Sequence, residues 1–107
     1  MTTQVADGVY VSSTDAEDYA ADPEVGALTH TLREDAHVQA GVWKASDDVE
    51  AAPFEFPHDE TILVLDGEIE GGPTLHLSPG SIASFAKGVL STWQPGPGFR
   101  EFWVYSV

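Results

Sequence analysis

Residues 57–67, PHDETILVLDG, decide the fold. An acidic lead-in, His58-Asp59-Glu60, runs into Ile62, Leu63, Val64 and Leu65 and leaves on Asp66-Gly67. An apolar run this short, closed by an Asp-Gly turn, predicts a strand rather than a helix. Its answer is the stretch 79–93, PGSIASFAKGVLSTW: a Pro-Gly turn, a short apolar strand, a Lys-Gly turn and the start of another strand. Two such strand-turn-strand units predict a small antiparallel barrel.

The spacing within the two units is more specific than generic β sequence. Six residues separate Glu60 from Gly67, and seven separate Gly80 from Gly88, with Ser91 following. This pattern resembles the two sequence motifs of the cupin superfamily. Glu60 and Gly67 stand at the Glu and Gly of the first motif, and Gly80 and Gly88 at the glycines of the second. Where that motif pair has metal-binding histidines, this chain has Phe54, Phe56 and Ser91, and Ala86 replaces the motif's Pro. The resemblance is closer to the small single-domain cupins related to the ureidoglycine aminohydrolase domain. It is carried by Gly41-Val42-Trp43, Asp59-Glu60-Thr61, Val64-Leu65-Asp66-Gly67, Leu77-Ser78-Pro79-Gly80-Ser81, Phe85-Ala86-Lys87-Gly88 and Thr92-Trp93, and by the aromatic run 99–105. It implies an all-β cupin barrel, a jelly-roll-like double-stranded β-helix of antiparallel strands. This branch of the superfamily is functionally mixed, so the resemblance implies a fold more than an activity.

At 107 residues the chain is one domain, with residues 41–107 as the barrel core and 1–40 as N-terminal strands that complete the barrel and a dimer sheet. Hydrophobic residues make up 42% of it, which suits a folded globule. No run reaches the ~18 apolar residues of a membrane span, and residues 1–8 carry neither the basic nor the apolar region of a secretory signal. The expected location is the cytoplasm. The absence of cysteine excludes disulfides, thiol catalysis and thiolate metal sites. Eighteen acidic residues against four basic ones give a formal charge of −14, which repels nucleic acids and anionic membranes. The acids are scattered, so they read as a solubilising surface, or as the general acidity of proteins from salty or high-GC organisms.

Along the chain, residues 1–13 predict an edge strand around Asp7-Gly8, and 14–24 an acidic loop. Strands are expected at 27–32 and 38–44, then a polar loop over 45–53. A hairpin is expected from 65–70 and 74–78 around Gly71-Gly72-Pro73, pairing Ile69 with Leu75 and Glu68 with His76. That register puts an acid-imidazole pair on the solvent face and accounts for His76 structurally. Strands at 82–85, 90–94 and 99–107 complete the set. In the last, Phe102 and Val104 take one face and Trp103 and Tyr105 the other, both apolar. A homodimer through this sheet would cover the outer one.

The chemistry centres on Glu60. A carboxylate among Phe54, Phe56, Ile62 and Trp93 has its pKa raised by burial, as a general acid or base near neutral pH requires. Equally, it would hold strand ends together through Thr61, Ser91, Thr92 or backbone donors. His58 lies two residues before Glu60 and faces the same way if the chain is extended, giving either a base with its orienting acid or part of a metal site. At a loop mouth it would simply be exposed. Lys87, in its glycine-flanked turn, is a receiver for an anionic group or a solvated lysine. Phe54, Phe56, Ser91, Trp93 and Trp103 are the expected pocket lining, the tryptophans as stacking surfaces for a flat or sugar-like ligand. One carboxylate among aromatics is a poor donor set for a transition metal, so no metal or other cofactor is expected, a divalent ion on Glu60 and His58 being the alternative. No Ser-His-Asp order, phosphate-binding loop or dinucleotide fingerprint is recognised. Three readings stand: a metal-independent isomerase, lyase or hydrolase acting on a small polar or anionic molecule, a non-catalytic ligand-binding or structural cupin, and a metal-dependent enzyme with an atypical site.

Overall fold

The computed structural model describes residues 1–22, 27–46, 52–71 and 75–106. The middle of the expected 45–53 loop, the end of the acidic 14–24 segment, Gly72-Pro73 and Val107 lie outside these residues. All regular structure among the described residues is β, in three sheets. A hairpin of β1 (Thr3–Ala6) and β2 (Val9–Val11) turns on Asp7-Gly8, where Gly8 takes φ 73°, a value that favours glycine. Six strands form the larger sheet: β3 (Ala20–Ala21), β4 (Leu28–Glu34), β5 (Val38–Lys44), β7 (Asp59–Asp66), β10 (Ile82–Phe85) and β12 (Arg100–Ser106). Their order is β10-β7-β12-β5-β4-β3, every pair antiparallel. The smaller sheet, β6-β11-β8-β9, contains β6 (Ala52–Glu55), β8 (Ile69–Gly71), β9 (Leu75–Leu77) and β11 (Leu90–Pro95).

The deciding stretch forms β7, paired to β12 on one side and β10 on the other. Alternation sends Glu60, Ile62 and Val64 inward, all buried, while Thr61 is exposed. Ile62, Val64, Ile69, Leu77, Phe99 and Ala45 form the core between the sheets, and Trp43, Leu75, Ala83, Phe85, Trp93 and Trp103 pack against it. Burying a side chain such as Phe99 or Ile62 stabilises by about 1.5–3 kcal/mol.

The expected arm 65–70 is not one strand. The chain leaves the larger sheet at Asp66, turns at Gly67 and enters the smaller sheet as β8. Gly67 makes this possible twice over. Its φ is 70°, and a Cβ there would meet the Phe99 backbone nitrogen and Cα at 2.8 Å. Gly67→Ala is therefore expected to cost about 2–4 kcal/mol, from backbone strain plus overpacking against an immovable neighbour, read as a lower urea midpoint at unchanged slope.

The β8-β9 register also differs from expectation. Ile69 pairs with Leu77, Glu70 with His76 and Gly71 with Leu75, because Gly71 belongs to the strand and pairs with Trp93 as well. A slip of two residues keeps every side chain on its face. His76 accordingly remains on the solvent side, its ring nitrogens 3.6 Å from Glu68 and 3.5 Å from Glu70.

The outer face of the larger sheet, where Ala40, Val42 and His30 are buried, is partly covered by the chain's own N-terminal segment. Phe102 and Val104 on that face stay half-buried.

Candidate functional site

Opposite residues in a ladder share a face, so the inner wall can be read from the register. Along β12 the inward residues are Glu101, Trp103 and Tyr105. They stand opposite Val64, Ile62 and Glu60 of β7, and opposite Trp43, Gly41 and Gln39 of β5. Gly41 gives the Trp103 indole room: a Cβ at that position would sit 3.2 Å from Trp103 Cζ2. From β10 come Ala83 and Phe85, the latter directly opposite Glu60. In the smaller sheet Ser91 pairs with Phe54, and Trp93 with Gly71.

Two groups of side chains result. Phe54, Phe56, Phe85 and Trp93 converge, although the sequence places them on three different strands and a bend. Phe56 is 2% exposed, stacked on Phe85 at 4.5 Å between ring centres and edge-on to Phe54 at 4.9 Å and Trp93 at 5.8 Å. Phe54, Phe85, Ser91, Trp93, Trp43 and Trp103 face inward and are half-buried.

The second group is polar. Glu60 is buried and accepts a hydrogen bond from the Tyr105 hydroxyl. Burial pushes its carboxyl up to about 7, against the opposing pull of that bond. Thr61, one of the expected partners of Glu60, instead meets Ser84 at 3.2 Å. Tyr105 is held above the usual tyrosine range by burial and by the charges of Glu60 and Glu101, so its hydroxyl stays protonated and able to donate. The His58 ring lies 5.5 Å from the Tyr105 ring, bringing the imidazole to the Glu60 end of the barrel.

Glu101 is the inward polar residue of this candidate site that the sequence did not point to. Its carboxyl oxygen Oε2 is buried with no hydrogen-bond partner, and burial, then the Glu60 charge, raise its pKa well above the carboxylate range. Alternation held the signal: Glu101 is two residues before Trp103 and four before Tyr105, on the same face. Trp103 thus lies between two carboxyl-bearing positions separated by roughly 13 Å of strand.

Lys87 is exposed at the turn between β10 and β11, where its backbone N–H donates to Asp59 Oδ1 at 2.8 Å. The side chains of the other three basic residues are engaged elsewhere. Arg33 pairs with Asp35, Arg100 with Asp66, and Lys44 lies over the Tyr19 ring.

The donors present do not fit a cupin metal. At the motif positions Phe54 and Phe56 are committed to ring packing and Ser91 faces Phe54, which leaves Glu60, with His58 nearby. Among the described residues no group of three or more His, Cys, Asp or Glu side chains is placed to hold an ion. Among the described residues no helix is long and apolar enough to cross a membrane.

No family model matches the sequence, and no curated protein is similar to it. Solved structures are similar in shape. The ethanolamine utilization protein EutQ of Salmonella typhimurium LT2 aligns over 99% of this chain and 92% of its own, with TM-score 0.82 and 17% identity. KdgF of Halomonas sp. aligns over 88% and 91%, with TM-score 0.70 and 20% identity. An RmlC-like cupin of Shewanella frigidimarina aligns over 98% and 92%, with TM-score 0.73 and 15% identity. With its all-antiparallel sheets, its inward carboxylates and these neighbours, the chain has the cupin fold.

Proposed function

We propose that this cupin binds a small polar molecule on the Trp103 wall of its barrel and acts on it by proton transfer, as an isomerase, lyase or hydrolase would. The observation that carries this reading is the buried, inward Glu60 carboxyl, hydrogen-bonded by Tyr105 and poised near neutrality. A base whose pKa lies near the working pH is ionised often enough to take a proton and weak enough to return it. Glu101, inward in the same barrel with an unpartnered carboxyl oxygen, offers a hydrogen-bonding group to a polar part of the ligand. The half-buried tryptophans supply stacking surface. Arg33, Arg100 and Lys44 are engaged elsewhere and Lys87 is exposed at the turn between β10 and β11, which favours a neutral, hydroxylated ligand over an anionic one. The motif likeness over residues 41–105 supports kinship with the ureidoglycine aminohydrolase-like cupins. At identities of 14–20% the structural neighbours support no substrate. The half-buried Phe102 and Val104 keep a homodimer through the larger sheet within the proposal.

A non-catalytic binding role is the second reading, favoured by the tightly packed Phe54, Phe56, Phe85 and Trp93 rings that fill one end of the barrel. One experiment separates the two. A panel of small polyols, hydroxy acids and amines is screened by NMR through the Trp103 indole resonance, with wild type and Glu60→Gln. Proton transfer predicts a hit that wild type exchanges or converts, while Glu60→Gln binds it with the turnover lowered about a hundredfold or more. A hit that binds both proteins and is converted by neither leaves the binding reading.

A further inference from the structure

On the opposite side of the larger sheet, Ser12, Asp18 and His30 come together in the relative geometry of a hydrolytic triad. Ser12 Oγ lies 2.6 Å from His30 Nε2. His30 Nδ1 lies 3.2 Å from the Asp18 carbonyl oxygen and 3.3 Å from Asp18 Oδ1. Both partners on the Nδ1 side are acceptors, so the neutral ring carries its proton there and presents a lone pair at Nε2; this tautomer is assigned from the hydrogen-bond network. Thr2 Oγ1 also approaches Nε2, at 3.4 Å, but its hydroxyl proton goes to the Thr31 carbonyl at 2.6 Å. Ser12 is therefore the donor to Nε2. The ring itself is 3% exposed and braced edge-on by Tyr19 at 6.3 Å between centres, which fixes its orientation.

A cleft of about 270 Å³ opens beside the serine, with Ser12 and His30 in its lining and Tyr10, Val11, Val42 and Phe102 among its walls. We propose that this cleft is a second, hydrolytic site, in which Ser12 is the nucleophile, His30 the general base and Asp18 the positioning residue, acting on small neutral esters with a short apolar acyl group. The apolar walls suit the acyl chain, and a chain of formal charge −14 repels anionic substrates. In the first half-reaction Ser12 Oγ bonds to the carbonyl carbon as its proton passes to His30 Nε2. The C–O bond of the alkoxy group then breaks and the alcohol leaves with that proton. In the second, water attacks the acyl-serine, gives a proton to His30, and the acid departs as that proton returns to Ser12 Oγ. Ester and water give acid and alcohol, with no further reactant. The backbone N–H groups of Ser13 and Thr14, next to the nucleophile, are the nearest in sequence to receive the oxyanion. The sequence reading saw no such order, because Ser12 and Asp18 fall in a segment with the composition of a loop and only β4 brings His30 to them.

The test uses the full chain with p-nitrophenyl acetate and p-nitrophenyl butyrate, and separately a fluorophosphonate whose adduct is located by mass spectrometry. The proposal expects saturable hydrolysis and one adduct, on Ser12. Ser12→Ala loses the adduct and about a hundredfold or more of kcat. Asp18→Asn, at an exposed position, lowers kcat at unchanged KM, whereas Ser84→Ala on the far strand β10 changes nothing. Circular dichroism confirms that each variant is folded. Absence of an adduct on Ser12, or hydrolysis by Ser12→Ala at the wild-type rate, overturns the proposal and leaves the three residues as a tie between the N-terminal segment and the sheet. Neither result bears on Glu60, so this proposal and that for the barrel stand or fall separately.

Discussion

Taking this protein from about pH 8 to about pH 5 is expected to stabilise it by roughly 3 kcal/mol, most of the change falling between about pH 7 and the ordinary glutamate range. The cause is Glu60, whose carboxyl rises from 4.5 to about 7 on folding. Between those values the native state holds a proton that the unfolded chain has released, so stability falls as pH rises through the window. The stabilisation is fully present below the unfolded value and lost above the folded one. About 2.5 pH units at ~1.36 kcal/mol each give the magnitude. Glu101, raised well above the carboxylate range by burial and the Glu60 charge, adds to the slope in the same direction. Asp35, lowered to about 2 by the backbone N–H groups of His37 and Val38 and the side chain of Arg33, acts with the opposite sign, but only in more acidic solution. General repulsion among the acidic residues also weakens on acidification, so a variant is needed to separate the terms. Urea midpoints across this pH range should converge towards a shallow line in Glu60→Gln, and the slope that remains reports Glu101 and the general charge. A wild-type midpoint that is flat over the range would show that the Glu60 carboxyl is not held in the barrel as described.

The same two carboxylates show how much of the molecule was legible in the sequence. β7 was readable because a four-residue aliphatic run ending in Asp-Gly has few alternatives, and its two-residue alternation placed Glu60 inside with Ile62 and Val64. The last strand was readable to the level of its two faces, and Trp103 with Tyr105 did turn inward. Glu101 carries the same parity. It was overlooked because the charged pair Arg100-Glu101, one residue after a Pro-Gly turn, has the composition of a solvated strand end, and nothing local reports the desolvation that the far wall imposes. The hairpin register failed for a similar reason. Gly71 reads as turn sequence, yet Ser91 and Thr92 close on it from the next strand and keep it in the sheet. Phe54 and Phe56 were found as pocket candidates by counting back from Glu60, but counting could not tell that one of them is half-open and the other is plug.

That distinction gives the second large effect: Phe56→Ala is expected to lose about 3–5 kcal/mol of stability, against roughly 1–2 kcal/mol for Phe54→Ala. Phe56 is among the most deeply buried side chains, and its ring touches three others, face to face with Phe85 and edge-on to Phe54 and Trp93. Its backbone is tied as well, donating to the Val89 carbonyl and accepting from Gly88, so the strand cannot slide in to fill a void. Truncation therefore leaves a cavity the size of a benzene ring bounded by rigid neighbours, and the cost includes both the lost transfer energy and the cavity. Phe54 keeps part of its surface in solvent and among the described residues has one ring contact, so its removal forfeits less. Urea denaturation at fixed pH measures both. A cost for Phe56→Ala as small as that for Phe54→Ala would mean that the barrel is loose at this end and that the two phenylalanines share one role. With the expected difference, Phe56 is removed from the ligand-contacting set, and the pocket is bounded there by Phe54, Phe85 and Trp93, with Glu60 opposite Phe85 as its chemical end.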